Sequence, residues 1–221
     1  RGSADQTLDP EPSAVIYPST YWPSYSMLDL VPFITVSGDF DFDGDGFDDI
    51  AMGRPRHPSI DGSELGGEIA LYRGGQLSDQ TQVICEADAV FQAGGSTWLL
   101  GQAITPLADL DGDGCDELAV SAPGSVTGTV YPDIPWDGRV YILYGFGPNC
   151  TSISPRVAAL HVPFPMSGFG FSLDGSADID GDGERDLIVS APFFLVGTVR
   201  YGAIAVIDGV DLGNAASELL D

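Results

Sequence analysis

Asp178-Ile179-Asp180-Gly181-Asp182-Gly183-Glu184-Arg185-Asp186, running at once into Leu187-Ile188-Val189-Ser190-Ala191-Pro192, is one of three copies of a single design. The other two are Asp41-Phe42-Asp43-Gly44-Asp45-Gly46-Phe47-Asp48-Asp49 and Asp109-Leu110-Asp111-Gly112-Asp113-Gly114-Cys115-Asp116-Glu117. A hard divalent cation of calcium's size takes roughly six to eight oxygens, and carboxylates at alternate positions of a tight loop converge on one point. The expected ligands are therefore the side chains at positions one, three and five: Asp41, Asp43 and Asp45; Asp109, Asp111 and Asp113; Asp178, Asp180 and Asp182. Position six must turn sharply, and Gly46, Gly114 and Gly183 stand there without a Cβ to oppose positive φ. Position seven offers only its backbone carbonyl, so Phe47, Cys115 and Glu184 are free to differ, and Asp49, Glu117 and Asp186 close the cage at position nine. A plain solvated turn also favours Asp and Gly. Three copies with the same internal spacing make it the weaker account.

An EF-hand starts in the same way, but it ends on a bidentate Glu at position twelve and continues as a helix. Here position twelve is Met52, Val120 or Val189, inside short apolar stretches bounded by Gly53 or by Ser-Ala-Pro. Their length and flanking breakers predict buried strands. The loops begin at 41, 109 and 178, a period of 68 and then 69 residues. A second feature recurs with them, an apolar segment bracketed by glycines: Gly67 to Gly74, Gly138 to Gly145, and Gly202 to Gly209. Each predicts a third strand. An outer strand is expected at 81–91, at 155–162 and, most weakly marked, at 215–220. Four antiparallel strands per repeat is the make-up of a propeller blade, so the expected class is all-β with about three blades.

These residues resemble the FG-GAP repeats of the integrin alpha-subunit β-propeller. Phe169-Gly170, the loop from Asp178 to Asp186, Ser190-Ala191-Pro192 and the Gly202–Gly209 segment carry the third copy. Leu100-Gly101 and Ser121-Ala122-Pro123 carry the second, whereas the first has Pro32-Phe33 and Gly53-Arg54-Pro55 in the corresponding places. The resemblance spans residues 30–210 and implies calcium in each of the three loops. It divides the chain into an N-terminal extension or extra edge strand at 1–29 and blades at about 30–95, 96–164 and 165–221. The family usually closes a seven-bladed ring, so three blades imply a longer polypeptide, self-association or a protein partner that completes it. Residues 13–29 are a candidate extra strand at the first edge.

The net charge is −25, with fifteen of the 33 acids inside the three loops. Even three bound calcium ions leave a strongly negative surface, which argues against nucleic acid and anionic membranes as partners. No apolar run approaches a membrane span. Calcium-dependent modules of low affinity suit millimolar extracellular calcium, so the expectation is an extracellular or cell-surface, secreted and processed segment. Cys85, Cys115 and Cys150 allow at most one internal disulfide, and their pairing stays open.

Two histidines, His57 and His161, fall in no nucleophile or zinc arrangement, and the evident carboxylate clusters are committed to metal; no catalysis is expected. In an up-and-down meander the acidic loops share one rim, and the long loops 54–66 and 124–137 share the other with the short apolar 193–201. Arg54, Arg56, Tyr131 and Trp136 are the candidate partner-binding residues there, because Arg and aromatic side chains dominate interface hot spots. The leading expectation is a calcium-stabilised segment for extracellular protein recognition, adhesion or assembly. The alternatives are a glycan-binding, lectin-like propeller using Trp22 or Trp136, and an accessory domain of a secreted hydrolase.

Overall fold

The computed structural model of the chain describes residues 14–16, 34–57, 66–75, 82–84, 86–92, 99–124, 138–145, 157–160 and 167–218. Each acidic loop is the turn between the first and second strands of an antiparallel sheet. Strand β1 (Ala14–Ile16) stands outside these sheets. The first blade is built from β2 (Thr35–Ser37), β3 (Ile50–Arg54) and β4 (Glu68–Tyr72); after a short strand β5 (Gln82–Ile84), β6 (Ala89–Gln92) completes it in the order β2-β3-β4-β6. The second is β7 (Ile104–Pro106), β8 (Leu118–Ala122), β9 (Arg139–Leu143) and β10 (Val157–Leu160), again hydrogen-bonded in sequence order. The third has β11 (Leu173–Ala177) and β12 (Asp186–Ala191), then a two-stranded hairpin, β13 (Leu195–Val196) and β14 (Val199–Arg200), before β15 (Ala203–Ile207) pairs with β12. Chain direction and pairing match the expected propeller blade.

The innermost strands β2, β7 and β11 adjoin one another in turn, which stacks the blades side by side around a common axis. Alternation along each strand then produces two apolar faces. Ala51, Ile69 and Leu71 of the first blade meet Leu118, Val120 and Leu143 of the second in one buried cluster. Ala119, Val140 and Ile142 on the other face of the second blade meet Leu187, Val189 and Ala191 of the third. Because both faces are covered, β4 and β8 are buried at every position, and each large aliphatic side chain there, Ile69, Leu71, Leu118 and Val120, contributes about 1.5–3 kcal/mol of transfer free energy.

Close backbone approach fixes the stacking, and it explains the glycine after Leu100 and after Phe169. A Cβ on Gly101 would sit 2.9 Å from the Glu68 carbonyl oxygen and 3.0 Å from the Gly53 Cα in the preceding blade. Gly170 lies equally close, at 3.0 Å, to the Arg139 carbonyl oxygen, and both glycines hold positive φ, 90° and 87°. Side chain to backbone bonds cross the same seams: Thr35 Oγ1 donates to the Gly101 carbonyl at 2.6 Å, and the Gly175 N–H donates to Thr105 Oγ1 at 2.9 Å.

Two expectations are corrected. The stretch 81–91 is not one outer strand: β6 takes that place, while β5 pairs in parallel with β1, Ala14 opposite Gln82. Of the candidate edge segment 13–29 only residues 14–16 are among the described residues, and these pair with β5. In the third blade no outer strand forms at 215–218; the chain becomes helix α1 (Gly209–Glu218). Asp208 caps it, its Oδ1 accepting the Val210 N–H at 2.8 Å, and Leu212 drops into the core shared with the second blade. An Asn-Ala-Ala-Ser-Glu run in place of β-branched residues sustains it.

Candidate metal centres

All three acidic loops close with one hydrogen-bond network, which explains the spacing of their residues. At position one, Asp41 Oδ2 accepts the Gly46 N–H at 2.7 Å, Asp109 Oδ2 the Gly114 N–H at 2.9 Å and Asp178 Oδ2 the Gly183 N–H at 3.0 Å. At position three, Asp43, Asp111 and Asp180 accept the N–H of position five at 3.2, 3.2 and 3.1 Å. At position five, Asp45, Asp113 and Asp182 accept the N–H of Phe47, Cys115 and Glu184 at 2.9, 3.0 and 2.8 Å. The wrap needs left-handed backbone at position six, where φ is 87°, 91° and 105°, and also at position four, a requirement the ligand argument had not exposed.

Position nine does more than close a cage. Asp49 takes the Phe42 N–H at 2.9 Å with one oxygen and the Gly74 N–H at 2.8 Å with the other. Asp186 repeats this with Ile179 at 2.7 Å and Gly209 at 3.1 Å, and Glu117 with Leu110 at 2.5 Å and Gly145 at 3.4 Å. This buried carboxylate ties the loop to the end of the third strand. That is why a glycine closes each glycine-bracketed segment: a Cβ on Gly74 or Gly209 would strike a loop carbonyl, of Asp48 or Arg185, at 1.9 or 2.4 Å. Adjacent loops are also joined, since Asp116 Oδ2 accepts the Asp41 N–H at 2.9 Å while the Asp116 N–H donates to the Asp41 carbonyl at 2.8 Å.

Oxygens bound to one calcium ion lie no more than about 5 Å apart, twice the metal–oxygen distance. Asp41, Asp43 and Asp45 bring carboxylate oxygens within 4.8 Å of one another, as do Asp109, Asp111 and Glu117, and Asp178, Asp180 and Asp186. Asp180, Asp182 and Asp208 form a further such group, so the third loop gains an acid from the β15–α1 junction that the spacing argument missed. The donors are all hard oxygens, which suits calcium or magnesium and not a soft metal. Cys115 does not alter this: it is buried in the core and disulfide-bonded. Its partner is Cys85 or Cys150, both outside the described residues. Phe47 is largely exposed, and Glu184 is exposed at the loop tip.

Gathering acids without a cation makes them reluctant to ionise. Burial pushes the Glu117 carboxyl up to about 8 against the pull of the Leu110 N–H, with the charge of Asp111 adding to the rise. Burial likewise raises Asp49 to about 6, opposed by the Gly74 and Phe42 N–H groups. Asp43 is raised by burial although Arg73, whose Nε lies 2.8 Å from Asp43 Oδ2, pulls it down. At Asp180 the Asp182 N–H lowers the value, but desolvation and the charges of Asp182, Asp186 and Asp208 together outweigh it. A bound divalent cation would favour the ionised form of each of these acids.

The opposite rim is organised differently from expectation. Arg54 is buried, not presented to solvent: its Nη2 pairs with Glu68 Oε1, and Glu68 also accepts from Gln92 Nε2 at 2.5 Å and faces His57 Nδ1 at 3.4 Å. A buried charge demands such a partner. Arg56 is half-buried, and Tyr131, Trp136 and Trp22 lie outside the described residues. The β13–β14 hairpin falls in the segment 193–201 expected on this rim; Val196, Val199 and Tyr201 are exposed there, and Arg200 lies over the Phe193 ring at 5.6 Å. Among the described residues no helix is long and apolar enough to cross a membrane.

Comparison with known proteins agrees with this geometry. The model of the FG-GAP repeat matches residues 34–72, 100–143 and 169–207, together more than half of the chain. Mouse integrin alpha-IIb is 45% identical over 93 residues, 41% of this chain and 8% of its own length. Integrin alpha-PS2 of Drosophila melanogaster is 32% identical over 160 residues, 68% of this chain and 11% of its own. Rat phosphatidylinositol-glycan-specific phospholipase D is 29% identical over 188 residues, 83% of this chain and 22% of its own. The chain thus spans less than a quarter of each of these relatives. Three matched repeats, each holding an acidic loop between its first two strands, make the chain a member of the FG-GAP repeat family, akin to integrin alpha subunits.

Proposed function

We propose that the chain is a calcium-stabilised segment of an integrin-alpha-like propeller that serves extracellular protein recognition, adhesion or assembly. The observation that carries this reading is the threefold recurrence of one carboxylate network, each copy holding oxygens within 4.8 Å on the same rim. Positions one, three, five and nine of each loop, with the position-seven carbonyl, would hold the ion. When bound, calcium supplies the positive charge that lets these acids ionise together. The residues' own part is to lock the first hairpin of each blade and, through position nine, to tie it to the third strand. This is stabilisation, and we read the segment as non-catalytic. A disulfide at Cys115 fits an oxidising, extracellular compartment.

The third blade supports completion by a further blade. Val140 and Ile142 on β9 are fully buried under the third blade, whereas Ile204 and Val206, at the same register on β15, are 72% and 53% exposed. Gly138 abuts the Phe169 backbone, with only 2.1 Å from an added Cβ to the Phe169 carbonyl oxygen, whereas at Gly202 nothing among the described residues comes closer than 3.4 Å. An inner-strand approach like that at Phe169-Gly170 fits there, whether from a longer chain, a second copy or another protein. A second reading is an accessory region of a hydrolase, favoured by the similarity to a phospholipase D over 83% of this chain.

The test is a thermal melt with and without calcium. At free calcium about a hundredfold above its dissociation constant each site adds about 2.7 kcal/mol. Three such sites predict that chelation lowers the melting temperature by roughly 10 °C or more. An unchanged melt after verified metal loss would remove the calcium reading.

A further inference from the structure

We propose that the residue before the closing glycine of each third strand grades the calcium affinity of that blade's loop, and that Arg73 makes the first loop the weakest. The inference rests on the calcium reading above. Register defines the position. Ile50 pairs with Tyr72, Leu118 with Leu143 and Leu187 with Ile207, so the next residues, Arg73, Tyr144 and Asp208, are equivalent. Each is followed by the glycine whose N–H binds the position-nine carboxylate.

The three side chains differ in charge. Arg73 Nε donates to Asp43 Oδ2 at 2.8 Å, and the Asp43 side chain is only 7% exposed, so one of the three grouped acids of the first loop is already held by a cation of the chain's own. Tyr144 is buried in the core between the second and third blades and brings no charge. Asp208 brings a carboxylate oxygen within 4.8 Å of those of Asp180 and Asp182. An incoming divalent ion must therefore displace or endure a guanidinium in the first loop, meets a neutral neighbour in the second, and gains an extra acid in the third. A unit charge roughly 6 Å from a divalent ion, screened as in water, changes affinity by about tenfold.

The experiment is calorimetric titration of calcium chloride into the metal-stripped chain at physiological salt, for the unaltered chain, Arg73→Gln, Arg73→Lys and Asp208→Asn. Arg73 is 43% exposed, and circular dichroism in chelator reports whether each variant folds. The weakest binding class is expected to tighten about tenfold in Arg73→Gln and stay within about twofold in Arg73→Lys, while Asp208→Asn weakens the tightest class several-fold. Asp41→Asn assigns the weakest class to the first loop by abolishing it. Constants in Arg73→Gln all within about twofold of the unaltered chain, or tightening in a class that survives Asp41→Asn, would overturn the grading while leaving the calcium reading intact. Absence of any saturable calcium uptake in the unaltered chain would sink that reading, and the grading with it.

Discussion

The first and third blades are the same repeat in opposite surroundings. Ile69 and Leu71 of the first are 0% and 4% exposed beneath the second blade, while their register mates Ile204 and Val206 are 72% and 53% exposed. Arg54 faces Glu68 across β3 and β4, where Ala191 faces Ala203 across β12 and β15. A fourth strand flanks β4, and a helix follows β15. The repeat sets backbone, loop and register in both. What packs on the blade decides which side chains are buried and which charges must be paired.

The strongest way to press on that contrast is through the acids of the covered blades. Asp49 and Glu117 lie under neighbouring structure, and burial lifts them to about 6 and about 8. Folding then requires protons that the unfolded chain has already released. The metal-free stability they supply is full below pH about 4 and is lost as pH rises through 6 and then 8. In chelator, the chain is expected to lose on the order of 2–4 kcal/mol between pH 5 and pH 8 by denaturant titration. Saturating calcium should reverse the slope, because protons then compete with the ion. A flat metal-free profile would show that the covered loops differ little in environment from exposed ones.

Comparable in size is the effect expected at the Arg54 pair. Replacing Arg54 with alanine installs the residue found at this register in the other two blades, Ala122 and Ala191. It nonetheless strands Glu68, which is 1% exposed, and is expected to cost about 3–5 kcal/mol. Adding Glu68→Ala should recover much of the loss. If Arg54→Ala alone is neutral in a chemical melt, the pair is not what distinguishes the first blade.

This residue also marks the limit of what the sequence discloses. The loops were readable because metal chemistry dictates both residue type and spacing, and the third strands because glycines bracket them. Gly53-Arg54-Pro55 stood out as a departure, but its compensation by Glu68 is a contact across two strands with no local signal, so Arg54 looked like a surface residue. Helix α1 was hidden for a related reason. Analogy with the other blades suggested a strand, while the evidence for a helix lay in Asp208 acting as its cap. The parallel pairing of Ala14 with Gln82 joins segments 68 residues apart, and no periodicity predicts it.

The smallest effect tests the bare face itself. Truncating Ile69 to alanine removes a fully buried side chain from the seam between the first two blades and should cost about 2–4 kcal/mol. Ile204→Ala at the same register removes a side chain that is 72% exposed, and the expected cost is under about 0.5 kcal/mol. The ratio measures coverage of the third blade in solution. If the two truncations cost the same, Ile204 is buried in the working molecule, and the blade's forward face already has its partner. Repeating the pair over a hundredfold range of protein concentration separates the sources of that cover. A cost at Ile204 that grows with concentration assigns the partner to a second copy of the chain, since dissociation by dilution exposes the face, whereas a concentration-independent cost assigns it to the chain's own residues.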